Sequence, residues 1–133
     1  MSSRSPGPVQ RAIRASVAPG DMLATPARGA RFVVERIDEA GVLLHLGRGR
    51  WPTRLTWECL EGIMPYLAWR GWVRIGTTFE TGGQPGSLDA YLKDCTKTAT
   101  ASWVAAVLER AGIVEIDRAQ PTRVRLRLNT ARG

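Results

Sequence analysis

Residues 123–128 read RVRLRL, an alternation of charge and hydrocarbon without a break. Successive side chains of an extended strand point to opposite faces. The segment therefore predicts a strand that buries Val124, Leu126 and Leu128 and lines its other face with Arg123, Arg125 and Arg127. A one-sided strand belongs to an antiparallel sheet packed on a core from one side only. Its nearest partner in the chain is IVEI at residues 113–116, reached through the turn RAQP at 118–121. This hairpin confines the C-terminal end to an α+β arrangement, because the segments before it are helical.

Upstream, Thr100 is a capping residue for a helix over residues 101–111, with Val104, Val107, Leu108 and Ala111 on one face. Gly112 stands where a helix ends in a left-handed residue. Ser87 caps a second helix that runs to Cys95, and residues 96–100 (TKTAT) form a polar turn between the two. Residues 76–86 (GTTFETGGQPG) are a Gly-rich loop, and residues 72–75 (WVRI) a short strand. Before them, Thr56 caps a helix carrying Leu60, Ile63, Met64 and Leu67. Pro65 lies inside that pattern and predicts a kink or a break into two short helices. Gly71 ends it.

The N-terminal part differs in character. Residues 1–20 carry Pro6, Pro8, Pro19, several serines, Arg4, Arg11 and Arg14. That composition predicts a basic arm, flexible apart from a helical turn or two over 11–17. Residues 21–29 come next as an entry loop. Residues 31–37 (RFVVERI) and 42–46 (VLLHL), around Glu39-Ala40-Gly41, predict a β-hairpin, with a short third strand over 50–55. Three units are expected: the arm at 1–20, a β-hairpin unit at 21–55, and a domain over 56–133 against which that unit packs.

From Trp57 onward the order is helix, short strand, helix, tight turn, helix, strand, turn, strand. In that order the chain resembles the winged helix-turn-helix DNA-binding proteins, over roughly the last 75 residues. The resemblance implies that residues 87–95 are the first helix of the helix-turn-helix, residues 100–111 its recognition helix and residues 113–128 its wing. The expected fold is thus α+β, a winged helix-turn-helix with an added N-terminal β-hairpin. The hairpin and the Trp- and Arg-rich segment after it also resemble the N-terminal reader domains of McrA-like modification-dependent endonucleases. A reader of modified bases requires an aromatic pocket, for which Trp51 or Trp57 is the candidate.

Charge points the same way. Of 133 residues, 19 are Lys or Arg and 12 Asp or Glu, a net charge of +7. Such an excess attracts polyanions. A recognition helix enters a groove by its first turn, which must be slim and not acidic. Lys97, Thr98, Thr100 and Ser102 supply such a turn, and Ser102 and Ala105 are expected to face outward. Trp103 shares a face with Val107 and is assigned to core packing. Arg118, Arg123, Arg125 and Arg127 are the wing candidates, unless Glu115 and Asp117 neutralise them as an ordinary solvated strand. Arg48, Arg50 and Arg54, interleaved with glycines and Trp51, form a second candidate patch; a plain hairpin tip explains it equally well. Trp57, Trp69 and Trp72 are assigned to the interface between the two folded units.

Other chemistry lacks its residues. Cys59 and Cys95 have no CxxC spacing and no companion histidine, so they are expected to be buried thiols, reduced in a bacterial cytoplasm, and no metal site or cofactor is implied. His45, the single histidine, has no nucleophile beside it in sequence, and no phosphate-loop or paired-carboxylate motif is present. No catalytic residues are assigned. No apolar run is long enough for a membrane span, and a cytoplasmic, nucleoid-associated protein is expected. The sequence therefore predicts a non-enzymatic binder of duplex DNA, acting as a regulator or as the recognition module of a defence or restriction system. The alternatives are a protein-interaction module (an antitoxin, an assembly subunit or a homodimer) and an RNA-binding protein.

Overall fold

A computed structural model describes residues 7–26, 29–46, 51–68, 70–75, 87–96, 101–119 and 122–127. The chain is α+β. Its elements are α1 (Pro8–Ser16), β1 (Met22–Ala24), β2 (Arg31–Asp38), β3 (Gly41–Leu46), β4 (Trp51–Thr56), α2 (Trp57–Glu61), α3 (Ile63–Leu67), β5 (Val73–Arg74), α4 (Leu88–Thr96), α5 (Ala101–Arg110), β6 (Val114–Asp117) and β7 (Arg123–Leu126). The first four strands form an antiparallel meander in chain order, and the last three a second sheet in the order β5-β7-β6.

The β2–β3 turn arises from local chemistry. Asp38 accepts a hydrogen bond from the Ala40 amide at 2.9 Å. Gly41 takes φ +144°, and a Cβ there would run into the backbone of Leu55 on β4. Only glycine fits a backbone approached that closely at positive φ. A register shift between Val34 and Arg36 changes which parity faces inward, so Phe32 and Val34 are buried before it and Ile37 packs on the core after it. Pro52, which lacks an amide proton, sits on β4, an edge strand where that proton is not required.

The helical segment after β4 divides at Gly62. Thr56 Oγ1 caps α2 by accepting from the Cys59 amide at 3.2 Å. Pro65 occupies the first turn of α3, where its missing N–H costs least, and the break falls one turn before it. Ser87 Oγ caps α4 through the Ala90 amide at 3.0 Å. At the end of α5, Gly112 adopts φ +79°, and the Ile113 amide returns to the Leu108 carbonyl at 3.0 Å. This closure satisfies carbonyls that the helix end leaves open.

Three expectations are corrected here. The first is the N-terminal arm. Residues 1–6 lie outside the described residues, but 8–16 form a docked helix rather than a flexible arm. Val9, Ile13 and Val17 make an i, i+4, i+8 stripe that is 0%, 0% and 4% exposed. Gly7 provides no side-chain cap, yet the Glu61 carboxylate accepts from the Val9 amide at 3.2 Å and the Gln10 amide at 2.9 Å. A carboxylate from a distant helix thus supplies the cap and complements the dipole. The second is the entry loop, of which residues 22–24 add a strand, β1, to the meander.

One cluster of buried side chains runs from Val9 on α1 through Leu44 on β3 and Leu92 on α4 to Val124 on β7. The hairpin unit and the C-terminal segment share this core. The third concerns the cysteines. Cys59 and Cys95 form a disulfide, with Cα atoms 6.0 Å apart, that ties α2 to the end of α4. Spacing of 36 residues gave no local signal of it.

Candidate nucleic-acid interface

The outer face of the second sheet groups charged and aromatic side chains. On β7, Val124 is buried and Leu126 packs against the core, while Arg123 and Arg127 are exposed and Arg125 half-buried on the other side. On β5, Val73 points inward at 6% exposure, so Trp72 and Arg74 point outward by the same alternation. The register places Arg74 opposite Arg123, and Arg123 opposite Asp117 on β6. Arg125 lies opposite Glu115.

Two rows therefore cross the sheet. In one, the Arg125 guanidinium stacks 4.5 Å from the Trp72 ring centroid and bonds Glu115 Oε1 through Nε at 3.1 Å and Nη2 at 3.0 Å. In the other, two arginines stand side by side with one aspartate. Asp117 and Glu115 both lie on the β6 side, so positive charge concentrates toward β5 and β7. Like charges directly opposite on neighbouring strands repel. Arg70, at the approach to β5, donates to the Tyr66 carbonyl at 2.6 Å and stacks on the Tyr66 ring at 4.3 Å.

Trp72 was missed at the sequence level. Assigned to an interior interface, it is 39% exposed. Counting back two residues from Arg74, with Val73 inward, was the signal that could have found it. Trp57 is buried as expected; its Nε1 donates to the Asp38 carbonyl at 2.7 Å, and Arg14 lies 5.6 Å over its ring. So enclosed, Trp57 forms no open pocket for a base. Trp103 packs partly buried against the core, and its Nε1 meets no acceptor among the described residues.

Arg118 is engaged within the chain. It forms a two-point pair with Glu109 of α5, at 2.9 and 2.7 Å, and this hydrogen bonding holds its pKa above the usual arginine value. The side chain props the turn after β6 against α5. Arg54 is exposed on β4, opposite Leu43, in the other sheet. The structure does not bring it to the face of β5 and β7. Ser102 is half-buried in the first turn of α5. Lys97, Thr98, Thr100, Arg48, Arg50 and Trp69 lie outside the described residues, and of Trp51 only its place on β4, opposite Leu46, is described.

The clearest departure is α5. Val104, Val107 and Leu108 are buried on the expected core face, and so are Ala101, Ala106 and Ala105, the last fully buried instead of facing outward. α1 and β1 pack against this helix. The Arg110 guanidinium lies 3.9 Å from Asp21 Oδ2, at the entry to β1. What remains open is a groove of about 440 Å³ bordered by Met22, Leu23, Ala24, Ala106, Glu109 and Arg110. Its polar edge is one acid and one base, each already paired.

Elsewhere, His45 Nδ1 lies 3.6 Å from Glu35, a local partner on the neighbouring strand. No helix among the described residues is long and apolar enough to cross a membrane. Comparison with family models, with curated proteins and with solved structures finds no match to this chain.

Proposed function

We propose that this chain is a DNA-binding protein on a winged-helix scaffold, and that it grips duplex DNA by its phosphates through the outer face of β5 and β7. On this reading it binds and does not catalyse. The scaffold reading rests on element order, α3-β5-α4-α5-β6-β7, together with a three-stranded sheet in which the last strand lies between the other two. The same burial that supports a compact scaffold argues against insertion of α5 into the major groove, since α1 and β1 already occupy that side.

The observation that carries the function is the pairing of Arg74 with Arg123 on an exposed sheet face, with Arg125 and Arg127 in line. An anion between adjacent guanidinium groups relieves their repulsion, and the planar fork of Arg suits phosphate oxygens. Backbone contact of this kind positions a protein on DNA without reading its sequence.

The test is fluorescence anisotropy with a labelled duplex, a single strand and an RNA duplex, from low to moderate salt. Duplex affinity is expected to fall with log salt at a slope of about −3. Arg74→Ala with Arg123→Ala should reduce the slope by about 2, and Arg54→Ala should leave it unchanged. Absence of duplex binding at the lowest salt, or tighter binding to RNA than to DNA, refutes the proposal.

A further inference from the structure

We infer that Trp72 is a base-stacking residue, and that the preferred ligand is DNA presenting an unpaired base beside the phosphates held by Arg74 and Arg123. The inference rests on the DNA-binding reading and deepens it. Single exposed large apolar side chains are ordinary on a protein surface, so it is the place of Trp72 and not its exposure that points to a task. Trp72 is one of two such residues among those described, with Met22. Met22 borders the groove over α5; Trp72 stands on the arginine face.

The ring is held in place before any ligand arrives. Arg125 lies against it at 4.5 Å and is itself tied to Glu115. This chain of contacts fixes the ring across three strands, which lowers the entropy cost of using it. Trp72 leads into β5, an edge strand of its sheet among the described residues. From Trp72 to Arg74 the strand advances about 7 Å. A nucleotide can span this interval with its base at one end and its phosphate at the other.

Paired bases in a continuous duplex offer no free π-face, because both faces are stacked on their neighbours. An aromatic ring beside phosphate-binding arginines therefore distinguishes a base that has left the stack, whether at a gap, at a bulge or by extrusion. Arg123 and Arg74 hold the backbone, and Trp72 supplies the discrimination.

The experiment compares one duplex in two forms, intact and carrying a single unpaired base, by anisotropy at one salt concentration. The expected result is about tenfold tighter binding to the form with the unpaired base. Trp72→Ala should abolish the difference, and Trp72→Phe should keep part of it. Arg74→Ala with Arg123→Ala should weaken both forms alike. A 2-aminopurine at the unpaired position should be quenched by the parent protein and less by Trp72→Ala. Equal affinity for the two forms overturns the inference while duplex binding itself persists. So does a preference that survives in Trp72→Ala. Failure of both forms to bind refutes the DNA reading instead, and this inference with it.

Discussion

Glu61 offers the sharpest test of how the N-terminal helix is held. Pro8 has no amide proton, Gly7 offers no side-chain cap, and the Val9 and Gln10 amides both donate to one carboxylate that is 52 and 51 residues away in sequence. Glu61→Ala leaves two helix-start donors without that acceptor and removes a negative charge from the positive end of the dipole. Loss of a cap costs about 0.5–2 kcal/mol, and hydrogen bonds to charged groups run somewhat higher than neutral ones. For a half-buried pair on one carboxylate, about 2 kcal/mol is expected. An unfolding entropy of about 2.1 cal/mol/K per residue gives about 0.28 kcal/mol/K over 133 residues, so Tm should fall by about 7 °C. Glu61→Gln keeps an acceptor but no charge and should fall by about half as much. A Cβ on Gly7 would run into the Glu61 carboxylate, so Gly7→Ala should displace the cap and reproduce part of the loss. Because both changes act on one contact, the double variant should lose less than the sum. Thermal unfolding by circular dichroism gives the four Tm values, and hydrogen exchange at the Val17 amide, which donates to Ile13, reports the helix locally. A Glu61→Ala protein within about 0.5 kcal/mol of the parent, or strict additivity with Gly7→Ala, refutes the capping argument.

Two further outcomes concern α2 and its surroundings. Closing a loop of 36 residues between Cys59 and Cys95 restricts the unfolded chain, so Cys59→Ser with Cys95→Ser should cost about 4 kcal/mol; two thiols titrating in the denatured, unreduced protein would deny the bond. Tyr91 donates to the Cys59 carbonyl at 2.8 Å, and burial first, then the charge of Glu58, raises its pKa from 10.0. The fold thus favours the protonated phenol. That contribution is complete below the unfolded value and is lost as pH rises through the folded one, so stability should decline above about pH 10 and Tyr91→Phe should flatten the decline. A stability profile of Tyr91→Phe parallel to the parent's would contradict this.

Much of the fold was written locally. The β2–β3 turn is in Asp38 and Gly41, the caps in Thr56 and Ser87, the divided helix in Pro65, the end of α5 in Gly112 and the inward face of β7 in Val124. Each depends on neighbours within about one turn of chain, which is the range over which sequence patterns act. The features that were not legible depend on distant partners. The stripe Val9-Ile13-Val17 was visible, but prolines and serines around it outweighed three apolar residues until Glu61 and α5 supplied a cap and a surface. The cysteine pair had the same difficulty. Of the candidate site, Arg123, Arg125 and Arg127 were legible from period two alone. Trp72 and Arg74 required knowing that β5 lies beside β7, a long-range pairing.

The alanines of α5 explain why that helix is covered. Ala101, Ala105 and Ala106 can be read as a slim surface for entering a groove, or as a surface on which another element of the same chain lies close. Alanine has no functional group with which to read a base edge, and burying its methyl against α1 and β1 is favourable at about 25 cal/mol per Å². The second reading wins on energy, and the structure shows it: Ala105 is 0% and Ala106 6% exposed. Once α5 is covered, its polar neighbours are drawn into internal pairs, Glu109 with Arg118 and Arg110 with Asp21. Arg74 and Arg123 lie opposite each other on β5 and β7. Packing of α1 and β1 thus withdraws most of α5 from the surface, and leaves the exposed face of β5 and β7 as the one on which the proposed binding rests.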